Sequence, residues 1–231
     1  MLKGIIFDLD GVIVDSHAAH KKAWRGLLTA LGHDVEEAAL DFVVEGRKRA
    51  EILRHFLGDA SEAEVRRYGA WKDELFCKFA YDVKMLPGVA EFVKAAGAAG
   101  LALAVGTSAG RRRAQETLER FGLASHIAVL VTGDEVRAGK PDPAIFLQAA
   151  AGLRIPPECL LVCEDAVPGV QAAKSAGMKC LGIAAKGRRA LLESAGADWV
   201  AEDFRSITLD QVRVEFSSVK GNGNISCATG A

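Results

Sequence analysis

Ile5-Ile6-Phe7-Asp8-Leu9-Asp10-Gly11-Val12 lies near the start of the chain, and its reading decides the fold. An apolar run leads into two carboxylates two places apart, and Gly11 ends it. In an extended strand, residues i and i+2 share a face, so Asp8 and Asp10 can point at the same reactant. Two ionised carboxylates repel each other unless a cation neutralises them or one keeps its proton. The pattern reads as a Mg²⁺ site, an acid/base pair, or both. A plain strand end followed by an Asp-Gly turn is the alternative.

Working outward, apolar runs of strand length recur at 101–106, 127–132, 159–164, 180–184 and 199–201, after a first at 3–7. Helix-period segments separate them at 88–99, 111–121, 143–151, 167–176 and 188–195. Several of these are followed by glycine (Gly100, Gly122, Gly152, Gly177, Gly196), the residue favoured just past a helix C-terminus. Strand–helix alternation at this spacing predicts an α/β fold, a Rossmann-like parallel sheet with helices on both faces. Residues 16–83 break the rhythm with helical patterns alone. Ala19, Ala23, Leu27 and Leu31 make one stripe. Ser61-Glu62-Ala63-Glu64 is a capping-box sequence opening a helix through Tyr68, Trp71, Leu75 and Phe79. The expected organisation is a core of residues 1–15 and 84–213, a small all-helical domain at 16–83, and a loose tail at 214–231.

Composition narrows the class. Half of the 231 residues are hydrophobic, enough for one good core and a small second domain. Lys plus Arg (29) nearly balances Asp plus Glu (30), so no global field attracts nucleic acid or an anionic membrane. No stretch approaches the roughly 20 apolar residues of a membrane span, and Asp8 and Asp10 interrupt what could pass for a leader. Five cysteines form no Cys-x-x-Cys pair, and Cys159, Cys163 and Cys180 sit in or beside apolar runs where reduced thiols are ordinary. A soluble, cytoplasmic protein is expected, with a monomer favoured.

In an open α/β sheet, ligands bind beyond the carboxyl ends of the strands, and the notable polar groups fall there. Asp8 and Asp10 follow the first run, Thr107-Ser108 the second, and Glu164-Asp165 end the run at 159–164. Lys140-Pro141-Asp142-Pro143 comes within ten residues of 127–132. Any one has a plain explanation, such as Thr107 or Ser108 capping a helix. Together they supply what phosphoryl transfer requires: a carboxylate nucleophile, a second acid, Mg²⁺ ligands, a hydroxyl and a cation.

Asp8-Leu9-Asp10-Gly11-Val12, Thr107, Lys140 and Glu164-Asp165 resemble, in order and spacing, the four motifs of the haloacid dehalogenase-like superfamily over residues 1–210. The resemblance implies Asp8 as nucleophile, forming an aspartyl-phosphate, and Asp10 as the acid that becomes the base. It implies Thr107 and Lys140 on the phosphoryl oxygens. Mg²⁺ would be held by Asp8, the Asp10 carbonyl, Asp165 and Glu164. With Mg²⁺ and Lys140 nearby, Asp8 is expected to stay ionised while Asp10 carries a proton. The second Asp argues against dehalogenation, because dehalogenases of the superfamily lack it.

Residues 16–83 then resemble the helical cap of these enzymes, most closely that of β-phosphoglucomutase and its sugar-phosphatase relatives. Asp15-Ser16, His20 and Trp24 match the start of that cap, and Gly46-x-x-Arg49 matches its specificity loop. The resemblance implies His20 positioning Asp10, and Arg49 reaching a second phosphate or a sugar hydroxyl. Departures bear on the activity. Glu45 stands where the mutase pattern has lysine, Ile52 where it has serine, and Ser108-Ala109 is followed by Gly110, without a hydroxyl the mutase uses on the far phosphate. Arg111, Arg112 and Arg113 could compensate, although at least one must face solvent. The expectation is a phosphatase acting on a small phosphate ester, a sugar phosphate, with β-phosphoglucomutase activity second. A non-catalytic phosphate-binding module is the third reading, opposed by the intact nucleophile and acid.

Overall fold

A computed structural model describes residues 1–184 and 187–218. Six parallel strands form the main sheet: β1 (Gly4–Phe7), β4 (Ala102–Thr107), β5 (Val129–Thr132), β6 (Leu160–Glu164), β7 (Lys179–Ile183) and β8 (Trp199–Ala201), in the spatial order β5-β4-β1-β6-β7-β8. Side chains alternate between two cores, as a sheet buried on both faces demands. Ile5, Phe7, Leu103, Val105, Leu161 and Cys163 pack on one face. Ile6, Ala104, Val131, Leu160, Val162 and Cys180 pack on the other. Helices α4 (Val89–Ala98), α5 (Arg111–Arg120) and α9 (Leu209–Ser218) cover the first face. Helices α6 (Ala144–Leu153), α7 (Val167–Ser175) and α8 (Arg189–Ser194) cover the second.

The chain winds outward from β1 to β5, then returns to lay β6 on the other side of β1. That reversal opens a crevice at the carboxyl ends of β1, β4 and β6, where an open α/β sheet takes its ligand. Phe7 pairs level with Val105 and with Cys163. The register therefore brings Asp8, Thr107 and Glu164 to one edge.

Between β1 and α4 the chain departs into helices α1 (His17–Ala30), α2 (Arg49–Leu57) and α3 (Glu62–Phe79), with a 3₁₀ segment at Glu37–Val44. They enclose a core of their own, of Trp24, Leu27, Leu28, Leu40, Val43, Ile52 and Leu53. The Ser61–Glu64 capping box forms in full at the start of α3. Two short strands missing from the sequence reading, β2 (Val14–Asp15) and β3 (Lys84–Met85), pair antiparallel where this segment leaves and rejoins the sheet. Two-residue strands carry no period for a sequence to display.

Two expectations need correction. The loose tail does not begin at residue 214: α9 runs to Ser218, and Val212 and Phe216 pack into the core at the i, i+4 spacing of one helix face. Residues 219–231 of that tail lie outside the described residues. Cys163 and Cys180 are free and buried as expected, but Cys159 is disulfide-bonded: burial beside a strand does not by itself keep a thiol reduced. Among the described residues, no helix is long and apolar enough to cross a membrane.

Candidate active site

At the exit of β1, the Asp8 N–H donates to the Cys163 carbonyl at 3.0 Å and fixes the first carboxylate beside β6. Lys140, on the segment between β5 and α6, buries its ammonium completely and donates to Asp8 Oδ1 (2.6 Å), Glu164 Oε1 (2.5 Å) and the Gly106 carbonyl (3.3 Å). The backbone N–H groups of Asp165 and Ala166 donate to Glu164 Oε2 at 2.9 and 3.1 Å. Both Glu164 oxygens are thus engaged, and its carboxylate serves Lys140. Burial pushes the Asp8 carboxyl up to about 8 against the pull of Lys140. Burial works against the Lys140 charge too, yet Asp8 and Glu164 together raise its pKa.

Asp10 lies in a different setting. Arg113 grips it through both oxygens, Nη1 to Oδ1 at 2.9 Å and Nη2 to Oδ2 at 2.5 Å. The Ser16 hydroxyl donates to Oδ1 at 2.5 Å. Ser16 occupies the N-cap position of α1 but makes no side-chain cap bond there, because its hydroxyl serves Asp10. His20 Nε2 faces Oδ1 at 3.3 Å, and Lys72 from α3 approaches His20 Nδ1 at 2.9 Å. With Lys72 donating to Nδ1, the neutral ring carries its proton on Nε2, which lies near Asp10 but outside hydrogen-bonding geometry. Burial pushes Asp10 up, but Arg113 and His20 outweigh it and hold the carboxyl well below the usual range. Burial and Lys72 bring His20 down to about 3, while burial and Arg113 bring Lys72 down to about 7. In this arrangement, without a metal ion, Asp8 is pushed toward its neutral form while Asp10 is held ionised.

The remaining expected residues gather around one cavity lined by Asp8, Asp10, Thr107 and Asp165 below and by His20, Trp24, Gly46 and Arg49 from the helical segment. Thr107 Oγ1 accepts from the Ala109 N–H at 3.1 Å, which leaves its own proton for the cavity. The Ser108 hydroxyl donates to the Gly46 carbonyl at 2.6 Å and ties the loop to the sheet edge. Lys48 adds a second tie, donating to the carbonyls of Val136 and Arg137. Arg49 pairs with Asp73 at 2.6 Å and crosses α3 at Gly69, where any side chain would collide with it. Trp24 lines the cavity from within the helical core, 2 % exposed. Asp165 Oδ2 is buried without a hydrogen-bond donor, with His17 Nε2 3.2 Å away outside bonding geometry.

The family model of the haloacid dehalogenase-like hydrolases matches residues 5–183. The chain belongs to that family. A Thermotoga maritima protein named phosphorylated carbohydrates phosphatase is 34% identical over 77% of this chain and 83% of its own length. The β-phosphoglucomutase of Bacillus subtilis is 30% identical, over 95% of this chain and 97% of its own. Among solved structures, CbbY from Rhodobacter sphaeroides in complex with phosphate superposes with a TM-score of 0.77 at 28% identity, covering 92% of this chain and all of that one.

Within this haloacid dehalogenase-like hydrolase, sequence reasoning missed Lys72, Asp73 and His17 as cavity residues. Lys72 reads in sequence as a solvated lysine, yet it is 5 % exposed. Its signal is its phase: Gly69, Lys72 and Phe76 form the buried face of α3 at helical spacing. Of the three consecutive arginines, Arg113 alone lines the cavity.

Proposed function

We propose that this hydrolase is a Mg²⁺-dependent phosphatase that cleaves a small phosphomonoester, a sugar phosphate, through an aspartyl-phosphate on Asp8. The observation that carries this reading is the buried Asp8–Lys140–Glu164 cluster, with Asp8 opening beside Thr107 and Asp165 onto a cavity. Residues 16–83 are read as the cap that roofs it, and 1–15 with 84–213 as the catalytic core.

The residues present fit Mg²⁺. Asp165 Oδ2 is a buried oxygen lacking a donor, and Asp8 supplies a second carboxylate to the same cavity. Among the described residues, no group of three or more acid, histidine or cysteine side chains is placed to hold a metal ion by itself. Mg²⁺ is commonly held by one or two carboxylates and completes its shell with water and substrate phosphate. Asp8, Asp165 and the Asp10 carbonyl would hold it, with Glu164 acting through Lys140 rather than as a ligand. When bound it supplies positive charge that favours ionised Asp8 and offsets the phosphoryl charge.

Lys140 occupies Oδ1 of Asp8, which leaves Oδ2 to attack phosphorus. Thr107 donates to a non-bridging oxygen as charge builds on it, while Lys140, its three protons given to Asp8, Glu164 and the Gly106 carbonyl, holds the nucleophile in place. Asp10, held ionised here by Arg113 and His20, must first take up a proton; it gives that proton to the departing alkoxide, then takes one from the water that opens the aspartyl-phosphate. His20, Trp24, Gly46, Arg49, Ser108 and Ala109 bound the part of the ester that is not transferred.

Phosphate release from a panel of sugar and polyol phosphates, with and without Mg²⁺, tests the reading. Asp8→Asn should abolish release and the capture of beryllium fluoride. Turnover surviving in a clean Asp8→Asn preparation sinks the covalent route. The cations at the far end of the cavity, Arg49, Lys72 and Arg113, favour β-phosphoglucomutase activity as the second reading. Glucose 6-phosphate formed from β-glucose 1-phosphate without free phosphate would establish it.

A further inference from the structure

The run Arg111-Arg112-Arg113 divides by direction. Arg111 reaches outward to Glu135, 2.6 and 2.7 Å from its two oxygens, and to the Leu130 carbonyl. Arg112 is exposed and pairs with Glu116 along the helix surface. Arg113 turns inward, its side chain 15% exposed, and spends its whole fork on Asp10. Behind it lies the Phe76 ring of α3, 5.1 Å from the guanidinium carbon.

Asp10 is therefore gripped at both oxygens, with three of its roughly four acceptor positions filled. Arg113 covers both oxygens, and Ser16 and His20 crowd Oδ1 besides. A carboxylate that is to pass a proton to a leaving group needs an oxygen turned toward that group. A guanidinium stays protonated and cannot relay one. Arg113 must release at least one Asp10 oxygen before Asp10 can act.

The structure also indicates what could draw it away. A guanidinium fork fits phosphate or carboxylate equally well in a bidentate pair. Arg113 lines the cavity beside Arg49 and Lys72, and those two already face Asp73, at 2.6 and 3.8 Å. An anion arriving at this end meets Arg113 as the cation whose partner is a residue needed for the reaction. We propose that Arg113 is a clamp on Asp10 which a second anionic group on the substrate takes over, so that binding such a substrate frees Asp10 to act. The proposal rests on the phosphatase reading and narrows its substrates to phosphate esters bearing a second phosphate or a carboxylate. Arg113 is thereby both a specificity residue and a positioning residue for Asp10.

The test pairs binding with turnover. Butane diphosphonate, butylphosphonate and a phosphonate ending in a carboxylate are titrated calorimetrically in the presence of Mg²⁺. Wild type, Arg113→Gln and Arg113→Lys are compared. None of the probes is hydrolysed, so the binding result stands whether or not any ester is turned over. The wild type should bind a doubly anionic probe about tenfold or more tighter than butylphosphonate, the scale of a charge-assisted bidentate contact. Arg113→Gln should erase that preference and Arg113→Lys should keep part of it. The two doubly anionic probes show which anion is taken. Equal affinities in the wild type, or a preference that survives Arg113→Gln, overturn the proposal. In turnover, Arg113→Gln should raise kcat on a neutral-tailed ester and raise KM on an anion-tailed one. An equal loss of kcat on both would make Arg113 a structural residue and overturn the clamp. If Arg113→Gln does not fold, Arg113→Lys carries the same comparison with a smaller difference. A wild type silent on every ester overturns the phosphatase reading, and the binding comparison still decides whether a second anion takes Arg113.

Discussion

Replacing Lys140 by methionine would test the buried charge cluster on which the site is built. Methionine roughly fills the same space and removes the charge, leaving the Asp8 and Glu164 carboxylates without their shared cation at 2.6 and 2.5 Å. Stripping one partner from a buried ion pair costs about 3–5 kcal/mol. Against a total stability of about 5–15 kcal/mol for a protein of this kind, that is a large share. Burial already pushes the Asp8 carboxyl up to about 8, and losing the pull of Lys140 pushes it further. The sign of the pH dependence follows. Above about pH 4 the unfolded chain has released this proton, while the folded chain keeps it until about pH 8 or beyond. The folded state then binds more protons than the unfolded one, so stability falls as pH rises through that window. Wild type shares that fall up to about pH 8, so the variant should run below it in parallel and separate further only above about pH 8, where wild-type Asp8 gives up its proton. Urea unfolding of the metal-free protein at several pH values reads this directly. Adding Glu164→Gln should recover part of the loss, with a coupling above about 1 kcal/mol in the double-mutant cycle. A loss below about 1 kcal/mol at the alkaline end, or one that grows as pH falls, refutes the reasoning.

Lys72→Met removes the donor to His20 Nδ1 at 2.9 Å and frees the ring to turn from Asp10. It should lower kcat more than it raises KM. Lys72 is brought down to about 7, so wild-type turnover should fall as pH rises through about 7, and this limb should vanish in the variant; an unchanged profile would detach Lys72 from the chemistry. Gly11→Ala places a methyl group against the Asp165 carboxylate and the His17 ring, on a backbone at φ +80°. It should lower Mg²⁺ affinity and cost about 1 kcal/mol or more of stability, and a calorimetric Mg²⁺ titration indistinguishable from wild type would show that Asp165 is not a ligand.

The sheet was legible because its strands are short, apolar and buried on both faces. A run such as Leu103-Ala104-Val105, short and set between helical segments, reads as a covered strand, and the polar groups at such strand ends are conspicuous by contrast. Strand pairing then turns sequence order into spatial convergence, since Phe7 stands level with both Val105 and Cys163. What was not legible depends on side-chain direction. Around a helix of 3.6 residues per turn Arg111 and Arg113 lie about 60° and 100° to either side of buried Ala114, so either could have faced inward. Only the position of Asp10 and the Phe76 ring decides for Arg113. Lys72 was hidden similarly, because its burial depends on α3 packing against α1, a contact between segments some fifty residues apart.

The two ends of the cavity are built on different terms, and this separates chemistry from choice of substrate. The end proposed to react hangs from strand termini whose register is fixed by backbone pairing, and the cation beneath it, Lys140, is wholly buried and already shared by two acids. Little there can respond to which ester enters. The far end joins side chains from α1, α2, α3 and α5, held by the Ser108–Gly46 bond, the Lys48 contacts and side-chain ion pairs. Every cation at that end already faces a carboxylate. An incoming anion therefore gains affinity only by exchanging one ion pair for another, and on the proposed mechanism the exchange that matters most is at Arg113, whose partner is the acid, Asp10. Selectivity at such a site follows from which pair the substrate can replace rather than from how much positive charge the cavity holds.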